Sequence, residues 1–293
     1  MYTRMLVPLD GSETAEKVLP YARTLAGSLK IPVELLTVIE ISRYVAGERA
    51  RYLDTFIDTA IRRNQEYLQR IAKTFPGGSV DYTVEGGEPA EIIITKAADK
   101  GTLITMATHG RSGVKRWLLG SITEKTLRGS NNHLLVVRAK EEAKTEKNAT
   151  LDSLMVPLDG SEQAETALPI VMELAKAMDL KVVLLQAYGA NILYSEDYDA
   201  ELDELKAESE KEAVSYLNSK VRQLKSEGLS DVSPLASQGE AAETIIEWAR
   251  GSPNSLIAMC THGRSGAKRW ALGSITEKVV RHSDSPVLVV QAK

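Results

Sequence analysis

The feature that most constrains how this chain folds is a long internal repeat. Residues 108–125 recur as residues 261–278, and 16 of the 18 positions are identical. The seven-residue sequence VPLDGSE of residues 7–13 also recurs, as residues 156–162. Repetition of long segments in the same order indicates two copies of one structural unit.

The ends of the two copies set the predicted domain boundaries. The run LLVVRAK closes the first copy at residue 140, and VLVVQAK closes the second at residue 293. Residues 141–152 are mostly charged or small polar residues, which is typical of a solvated connector. We therefore predict a first domain over residues 1–140, a linker over 141–152 and a second domain over 153–293, each of an ordinary size for one domain.

Composition excludes several classes of protein. Apolar residues make up 43% of the chain and charged residues 26%, which is the balance of a globular protein with a packed core. The formal net charge of −4 gives no overall attraction to nucleic acid or to an anionic membrane. No leader-like segment or membrane-length apolar run is evident, and the one cysteine, Cys260, predicts no internal disulfide. We expect a cytoplasmic protein.

Short apolar runs alternate with helical patterns along each copy. In the first copy the predicted strands cover residues 5–9, 33–39, 80–84, 103–107 and 134–138. The predicted helices run from an N-cap at Asp10 through residue 29, and over residues 48–73, 89–98 and 122–128. The second copy repeats this order, with its long acidic helix over about residues 198–227.

This alternation predicts the fold class. Apolar strands that alternate with helices form a parallel sheet with helices on both faces, because right-handed crossovers place the helices outside the sheet. Each copy is therefore expected to be an α/β domain with a doubly wound, five-stranded parallel sheet. In such sheets ligands bind beyond the carboxyl ends of the strands, where the strand order reverses.

Two loops of each copy should meet at that edge. One loop follows the first strand at Asp10. The other follows the fourth strand and is rich in glycine over residues 108–121, where a helix then begins. Glycines allow backbone amides to approach a phosphate, and a helix start adds unpaired N–H groups and a positive dipole end. Ser121, Arg111, Lys115 and Arg116 add a donor and positive charge, so we predict a site for nucleoside phosphates.

The glycine spacing resembles that of ATP-binding universal stress proteins, which carry G-x2-G-x9-G-[ST] after the fourth strand. The first copy reads Ala107-x2-Gly110-x9-Gly120-Ser121, and the second reads Cys260-x2-Gly263-x9-Gly273-Ser274. Alanine and cysteine thus replace the leading glycine of the family pattern. The resemblance covers almost the whole chain and implies Rossmann-like domains of the adenine nucleotide alpha hydrolase-like kind.

The resemblance also implies a set of nucleotide contacts, in which adenine lies at the ends of the first two strands and an aspartate faces the ribose or a phosphate-bound metal. In the first copy these are Pro8, Asp10, Val38, Ala107, Thr108, His109, Gly110, Arg111, Ser112, Gly113, Gly120, Ser121, Ile122 and Thr123. In the second copy they are Pro157, Asp159, Ala187, Cys260, Thr261, His262, Gly263, Arg264, Ser265, Gly266, Gly273, Ser274, Ile275 and Thr276. The implied ligand is ATP or AMP, with or without Mg²⁺ on its phosphates.

Several of these residues also have a purely structural interpretation. The aspartates and serines could cap helices, and the basic residues could be ordinary surface. The two histidines are expected to order their loops, because no Ser or Cys nucleophile is paired with them, and Trp117 and Trp270 are expected to pack the same loops. We predict no catalytic residue and no metal site of the protein's own.

The chain lacks both the sequence G-x4-G-K-[ST] and a dinucleotide fingerprint at a strand-to-helix turn. We therefore expect a nucleotide-binding sensor or regulatory module rather than an enzyme. A structural scaffold without nucleotide and a slow ATP-hydrolysing enzyme stay open as alternatives. Because Ala187 and Cys260 replace Val38 and Ala107, the two sites are expected to differ.

The final strand of each copy is apolar and is expected at a sheet edge. Its unpaired backbone N–H and C=O groups promote aggregation there unless another strand or surface covers them. The resemblance implies that single-domain relatives cover this edge by dimerising. We therefore expect residues 134–138 and 287–291 to pair antiparallel as an intramolecular pseudo-dimer, with or without a further homodimer of the whole chain.

Overall fold

The structure is a computed structural model, and it describes residues 2–40, 53–77, 79–109, 119–138, 147–189, 199–261, 263 and 272–291. The chain divides into two compact units, Met1–Thr150 and Leu151–Lys293. Each unit contains one copy of the sequence repeat, and each is described below by itself.

The first unit is built on a parallel sheet of five strands. These are β1 Arg4–Pro8, β2 Val33–Ile39, β3 Val80–Gly86, β4 Thr102–Ala107 and β5 Leu134–Val137, in the order β3-β2-β1-β4-β5. Every neighbouring pair is parallel. All residues of β4 and β5 are buried, because helices cover both faces of the sheet.

The second unit repeats this topology. Its strands are β6 Ser153–Pro157, β7 Lys181–Gly189, β8 Val232–Gly239, β9 Ser255–Cys260 and β10 Val287–Val290, in the order β8-β7-β6-β9-β10. All of these neighbours are parallel as well. The predicted fold class, two tandem doubly wound α/β domains with five-stranded parallel sheets, is confirmed.

The helices follow the predicted order. The first unit contains α1 Glu13–Glu16, α2 Leu19–Leu29, α3 Leu53–Ala72, α4 Pro89–Lys96 and α5 Ser121–Gly129. The second contains α6 Glu162–Glu165, α7 Leu168–Met178, α8 Asp199–Ser226, α9 Ala241–Gly251 and α10 Ser274–His282. No helix among the described residues is long and apolar enough to span a membrane.

The first predicted helix of each copy is in fact two helices. Pro20 lies in the first turn of α2, where its missing N–H would have no helical partner. A proline in the middle of one continuous helix would lose a hydrogen bond and clash with the preceding turn. The chain therefore ends α1 and starts α2 just before this residue. Pro169, in the first turn of α7, has the same effect in the second unit.

The prediction that Asp10 caps the first helix is wrong. The N-cap of α1 is Ser12, whose Oγ accepts a hydrogen bond from the Ala15 backbone N at 3.1 Å. Asp10 instead accepts the Ser12 backbone N–H at 3.0 Å and the Ser12 hydroxyl at 2.6 Å through Oδ1. It lies too far before Glu13 to reach the helix amides, and its short side chain closes a local turn instead. Asp159 and Ser161 repeat this arrangement before α6.

The last part of the predicted linker packs against the first unit. The buried Arg23 of α2 donates from Nε to the carbonyl of Lys147 and from a terminal nitrogen to Thr74 Oγ1 at 3.0 Å. Thr24 Oγ1 donates to the Ala149 carbonyl at 2.8 Å. Burial lowers the pKa of Arg23. Polar composition alone cannot distinguish such a docked segment from a solvated one, because hydrogen bonds to its backbone hold it in place.

Candidate functional site

A crevice opens in the first unit beyond the carboxyl ends of β1, β2 and β4, where the strand order reverses. The ends of these strands and the starts of α4 and α5 form its walls. The residues that line it are Pro8, Leu9, Asp10, Ala15, Leu36, Val38, Pro89, Ile93, Met106, Ala107, His109, Ile122 and Thr123. The crevice is therefore mostly apolar, with one carboxylate and one imidazole at its walls.

Seven of the predicted contacts lie together in this crevice: Pro8, Asp10, Val38, Ala107, His109, Ile122 and Thr123. The sequence interpretation missed Leu9, Ala15, Leu36, Pro89, Ile93 and Met106. One signal for Leu36 was present in the sequence. Residues two apart in a strand face the same side, so a predicted contact at Val38 also implied Leu36.

The loops after the first and fourth strands meet in the second unit. A Cβ atom added to Gly263 would lie 2.2 Å from Asp159 Oδ2. Asp159 follows β6 and Gly263 follows β9, so the carboxylate lies directly against the backbone of the other loop. Only glycine leaves room for this approach, which gives a packing reason for one position of the glycine pattern.

The last glycine of the pattern is also fixed by a backbone contact. The Gly120 N–H donates to the Thr108 carbonyl at 2.8 Å, and the Gly273 N–H donates to the Thr261 carbonyl at 2.8 Å. A Cβ atom on Gly120 would lie 2.8 Å from the same Thr108 oxygen. This hydrogen bond closes the glycine loop onto the start of α5, so that any side chain at this residue would force the two segments apart.

Within the described residues, no side chain caps α5 or α10. Their N-cap residues are Gly120 and Gly273, and Ser121 and Ser274 are the first helical residues, with exposed side chains. The alternative interpretation of these serines as N-caps is therefore wrong, since each lies one residue inside its helix. The first N–H groups of an α-helix have no partner within the helix, and in α5 and α10 no described side chain takes the place of that partner. The helix start can accept an anion.

Two predicted contacts instead hold a helix to the sheet. Thr123 Oγ1 donates to the Ala107 carbonyl at 2.9 Å, and Thr276 Oγ1 donates to the Cys260 carbonyl at 2.8 Å. Both threonines are buried. These bonds fix the first turn of α5 against the end of β4 and the first turn of α10 against the end of β9, which positions each helix start beyond its strand.

His109 lies beside its own chain neighbour. Its Nδ1 is 3.0 Å from Thr108 Oγ1, and the Thr108 backbone N–H donates to the Val137 carbonyl at 2.9 Å. The imidazole is thus held at the crevice wall by a residue that is itself anchored to β5. Residues 110–113, 115–117, 262, 264–266 and 270 lie outside the described residues, and the calls on them stay predictions.

Cys260, at the leading glycine position of the second copy, does not project into open space. It is buried, and its Sγ is 3.2 Å from Thr166 Oγ1. The Thr166 hydroxyl donates its proton to the Gln163 carbonyl at 2.6 Å. The thiol must therefore be the donor to Thr166, which directs the sulfur toward the segment between α6 and α7.

An ion pair joins the two helices that flank the crevice. Lys125 Nζ of α5 lies 3.0 Å from Glu88 Oε1, at the residue that precedes α4. The hydrogen bond that Lys125 donates to Glu88, together with the negative charge of Glu88, raises the pKa of Lys125. In the second unit Lys278 pairs with Glu243 of α9 at 3.1 Å. Exposed pairs of this kind contribute little stability.

The described residues contain no group of three or more His, Cys, Asp or Glu side chains that could hold a metal ion.

Two doubly wound α/β domains in tandem, each with the same glycine spacing in the sequence after its fourth strand, define the class of this protein. The family model of the universal stress protein family matches residues 1–138 and again residues 150–291. The chain belongs to the universal stress protein family and contains two of its domains.

Known proteins agree with this assignment. A universal stress protein of Methanocaldococcus jannaschii is 32% identical over 158 residues, which cover 48% of this chain and 97% of that protein. Another relative, from Bacillus subtilis, is 28% identical over 147 residues, covering 48% of this chain and 99% of its own length. A universal stress protein structure from Archaeoglobus fulgidus superposes with a TM-score of 0.71 at 22% identity, covering 99% of this chain and 96% of that one. The Archaeoglobus fulgidus structure therefore has the same two-domain fold as this chain.

Proposed function

We propose that each domain binds an adenine nucleotide, ATP or AMP, in the crevice beyond its central strands. The observation that carries the proposal is the start of α5, which no described side chain caps and which the bond between Gly120 and Thr108 holds at the crevice. Phosphates bind at such helix starts because the amides donate and the helix dipole favours negative charge. α10 starts in the same way in the second domain.

The end of the crevice at β2 is suited to bind the adenine base of the nucleotide. Leu36 and Val38 of β2 and Pro89 and Ile93 of α4 form an apolar wall there. An aromatic base gains free energy when it leaves water for such a wall, whereas phosphates do not. Phosphates at α5 and the base at β2 therefore follow from the polarity of the two ends. Asp10 lies between them at the end of β1, where it can face a ribose hydroxyl or a phosphate-bound Mg²⁺.

We further propose that the protein acts as a nucleotide sensor or regulatory module rather than as an enzyme. The described part of the crevice offers Asp10 and His109 as its ionisable side chains, and Asp10 already accepts two hydrogen bonds from Ser12. The hydroxyl that contacts Asp10 is that of Ser12, which already caps α1, and the hydroxyl beside His109 is that of Thr108, whose backbone is bonded to β5. Hydrolysis of bound ATP would therefore be slow, and occupancy itself would be the signal.

Mass spectrometry of small molecules released from the purified protein, followed by calorimetry with ATP, AMP and adenosine, tests the proposal. ATP should bind at up to two equivalents, and adenosine should bind more weakly because it lacks the phosphates. Val38→Trp and Ala187→Trp should each remove one equivalent by filling a crevice. Tyr82→Trp on the exposed face of β3 is the control and should change nothing. A chain that binds neither ATP nor AMP would instead be a scaffold.

A further inference from the structure

The two crevices differ in a way that predicts different ligands. Thirteen residues line the first crevice, and the repeat supplies the same residue type in the second copy at all but three of these positions. The differences are Val38 against Ala187, Pro89 against Ala241 and Ala107 against Cys260. Two of these changes remove atoms from the second crevice, and one adds a sulfur.

The two reductions lie on the same wall. Val38 and Pro89 line the apolar end of the first crevice, at the end of β2 and the start of α4. Valine to alanine removes two methyl groups, and proline to alanine removes two ring carbons. The backbone around the second change is conserved, since Glu88 has φ −80° and ψ 119° and Glu240 has φ −67° and ψ 125°. The helix start thus keeps a similar backbone conformation when proline is replaced by alanine.

The added sulfur does not refill this space. Cys260 Sγ lies 3.2 Å from Thr166 Oγ1, between α6 and α7. Its counterpart Ala107 ends β4, whereas Val38 lies in β2 and Pro89 begins α4. In the second domain the smaller residues thus stand at the positions of Val38 and Pro89, while the positions at the helix start keep the same residues, Ile275 and Thr276.

We infer that the second domain accepts a nucleotide whose base carries an additional apolar substituent, and that the first domain excludes it. This inference rests on the proposed function, which puts the base at the apolar end. In a packed pocket even one extra or missing methylene changes affinity by about 10- to 200-fold. The same chain would then combine a site for the plain adenine nucleotide with a site for a base-extended one.

Calorimetry on the full chain with ATP and with N6-benzyl-ATP tests the inference. The unmodified protein should bind two equivalents of ATP but one of N6-benzyl-ATP. The double variant Ala187→Val, Ala241→Pro should bind N6-benzyl-ATP at least about tenfold more weakly. The reciprocal variant Val38→Ala, Pro89→Ala should gain a second equivalent of N6-benzyl-ATP. Proline is compatible with position 241 because it is the first residue of α9.

The outcomes separate the inference from the function on which it rests. Absence of ATP binding to the unmodified protein overturns both. Normal ATP binding with N6-benzyl-ATP at both sites or at neither overturns the inference alone, as does a preference that the exchanged residues leave unchanged. Melting temperatures of the variants, measured without ligand, show whether each remains folded, and single Ala187→Val and Val38→Ala variants replace any double variant that does not.

Discussion

At the scale of single residues, two buried threonines of the first domain differ in the hydrogen bonding of their hydroxyl groups. Thr37 Oγ1 donates to the Leu9 carbonyl at 2.9 Å. Thr105 is fully buried in β4, and its hydroxyl oxygen has no hydrogen-bond partner among the residues that the structure describes. The second copy contains Ala258 at the position of Thr105. A buried polar group without a partner lowers stability, whereas a satisfied one does not.

Replacement of each threonine by valine, which has the same shape, separates these roles. Thr105→Val should raise the free energy of unfolding by about 1 kcal/mol because no hydrogen bond is lost. Thr37→Val should lower it by about 1–2 kcal/mol, since the Leu9 carbonyl loses its donor. Urea denaturation monitored by circular dichroism measures both. Equal destabilisation by the two changes would contradict this account of Thr105.

The second prediction at this scale concerns Gly120. Gly120→Ala places a Cβ atom 2.8 Å from the Thr108 carbonyl oxygen, so the loop and α5 must separate. We expect a loss of about 1–3 kcal/mol of stability together with weaker ATP binding. The control is Gly27→Ala in α2, where an added Cβ meets nothing within 4 Å. That change should stabilise the helix by about 0.5–1 kcal/mol. An unchanged ATP affinity in Gly120→Ala would show that the contact between Gly120 and Thr108 is not needed for ATP binding.

At the scale of elements, the ends of α2 and α7 show the same local strain. Their C-cap residues, Lys30 and Asp179, both adopt the left-handed conformation with φ 53°. Both are exposed. Steric repulsion of the Cβ atom destabilises this conformation in every residue except glycine, which has no Cβ atom. The repeat preserved the backbone conformation of this turn while its side chain changed from a cation to an anion.

Lys30→Gly and Asp179→Gly should therefore each raise the free energy of unfolding, by about 0.5–1 kcal/mol. Lys30→Ala and Asp179→Ala are the matched controls, because they remove the same charges but keep the Cβ atom. Thermal melts of the four variants provide the comparison. A gain in the alanine variants equal to that of the glycine variants would assign the effect to charge rather than to backbone conformation.

At the scale of the whole molecule, Arg23 and Thr24 hold residues 147–149 against α2, each through a hydrogen bond to a backbone carbonyl. Met172 occupies the matching position of the second copy. Arg23→Met should release this segment and speed its cleavage by proteinase K several-fold. Lys147→Ala is the control, since Arg23 bonds to the carbonyl of Lys147 and that atom remains. Cleavage at the same rate in Arg23→Met and the unmodified chain would show that other contacts hold the segment.

The association of the two final strands stays a prediction, argued from their apolar edges. A fragment of residues 1–150, which retains the contacts of residues 147–149 with α2, should form homodimers through β5. Ultracentrifugation over a range of concentrations measures this, and Val136→Lys should make the fragment monomeric. A fragment that is monomeric at high concentration without the substitution would refute the arrangement.

The sequence by itself determined the tandem repeat, the order of strands and helices along the chain and the parallel, doubly wound class of each sheet. These are local or repetitive signals: apolar periodicity, proline and glycine positions, and two segments that match over 16 of 18 residues. It also located the crevice, because the carboxyl ends of parallel strands must meet at one edge. The strand Val33–Ile39 was predicted with its observed bounds.

Only the tertiary structure decided what each side chain contacts. It replaced Asp10 by Ser12 as the helix cap, directed Cys260 toward Thr166 and added Pro89 and Ile93 of α4 to the crevice wall. The physical reason is that these contacts join segments distant in the chain, or depend on a shift of one or two residues in where a helix begins. Periodicity indicates which face of an element is buried, but the packing of other elements determines its neighbours there.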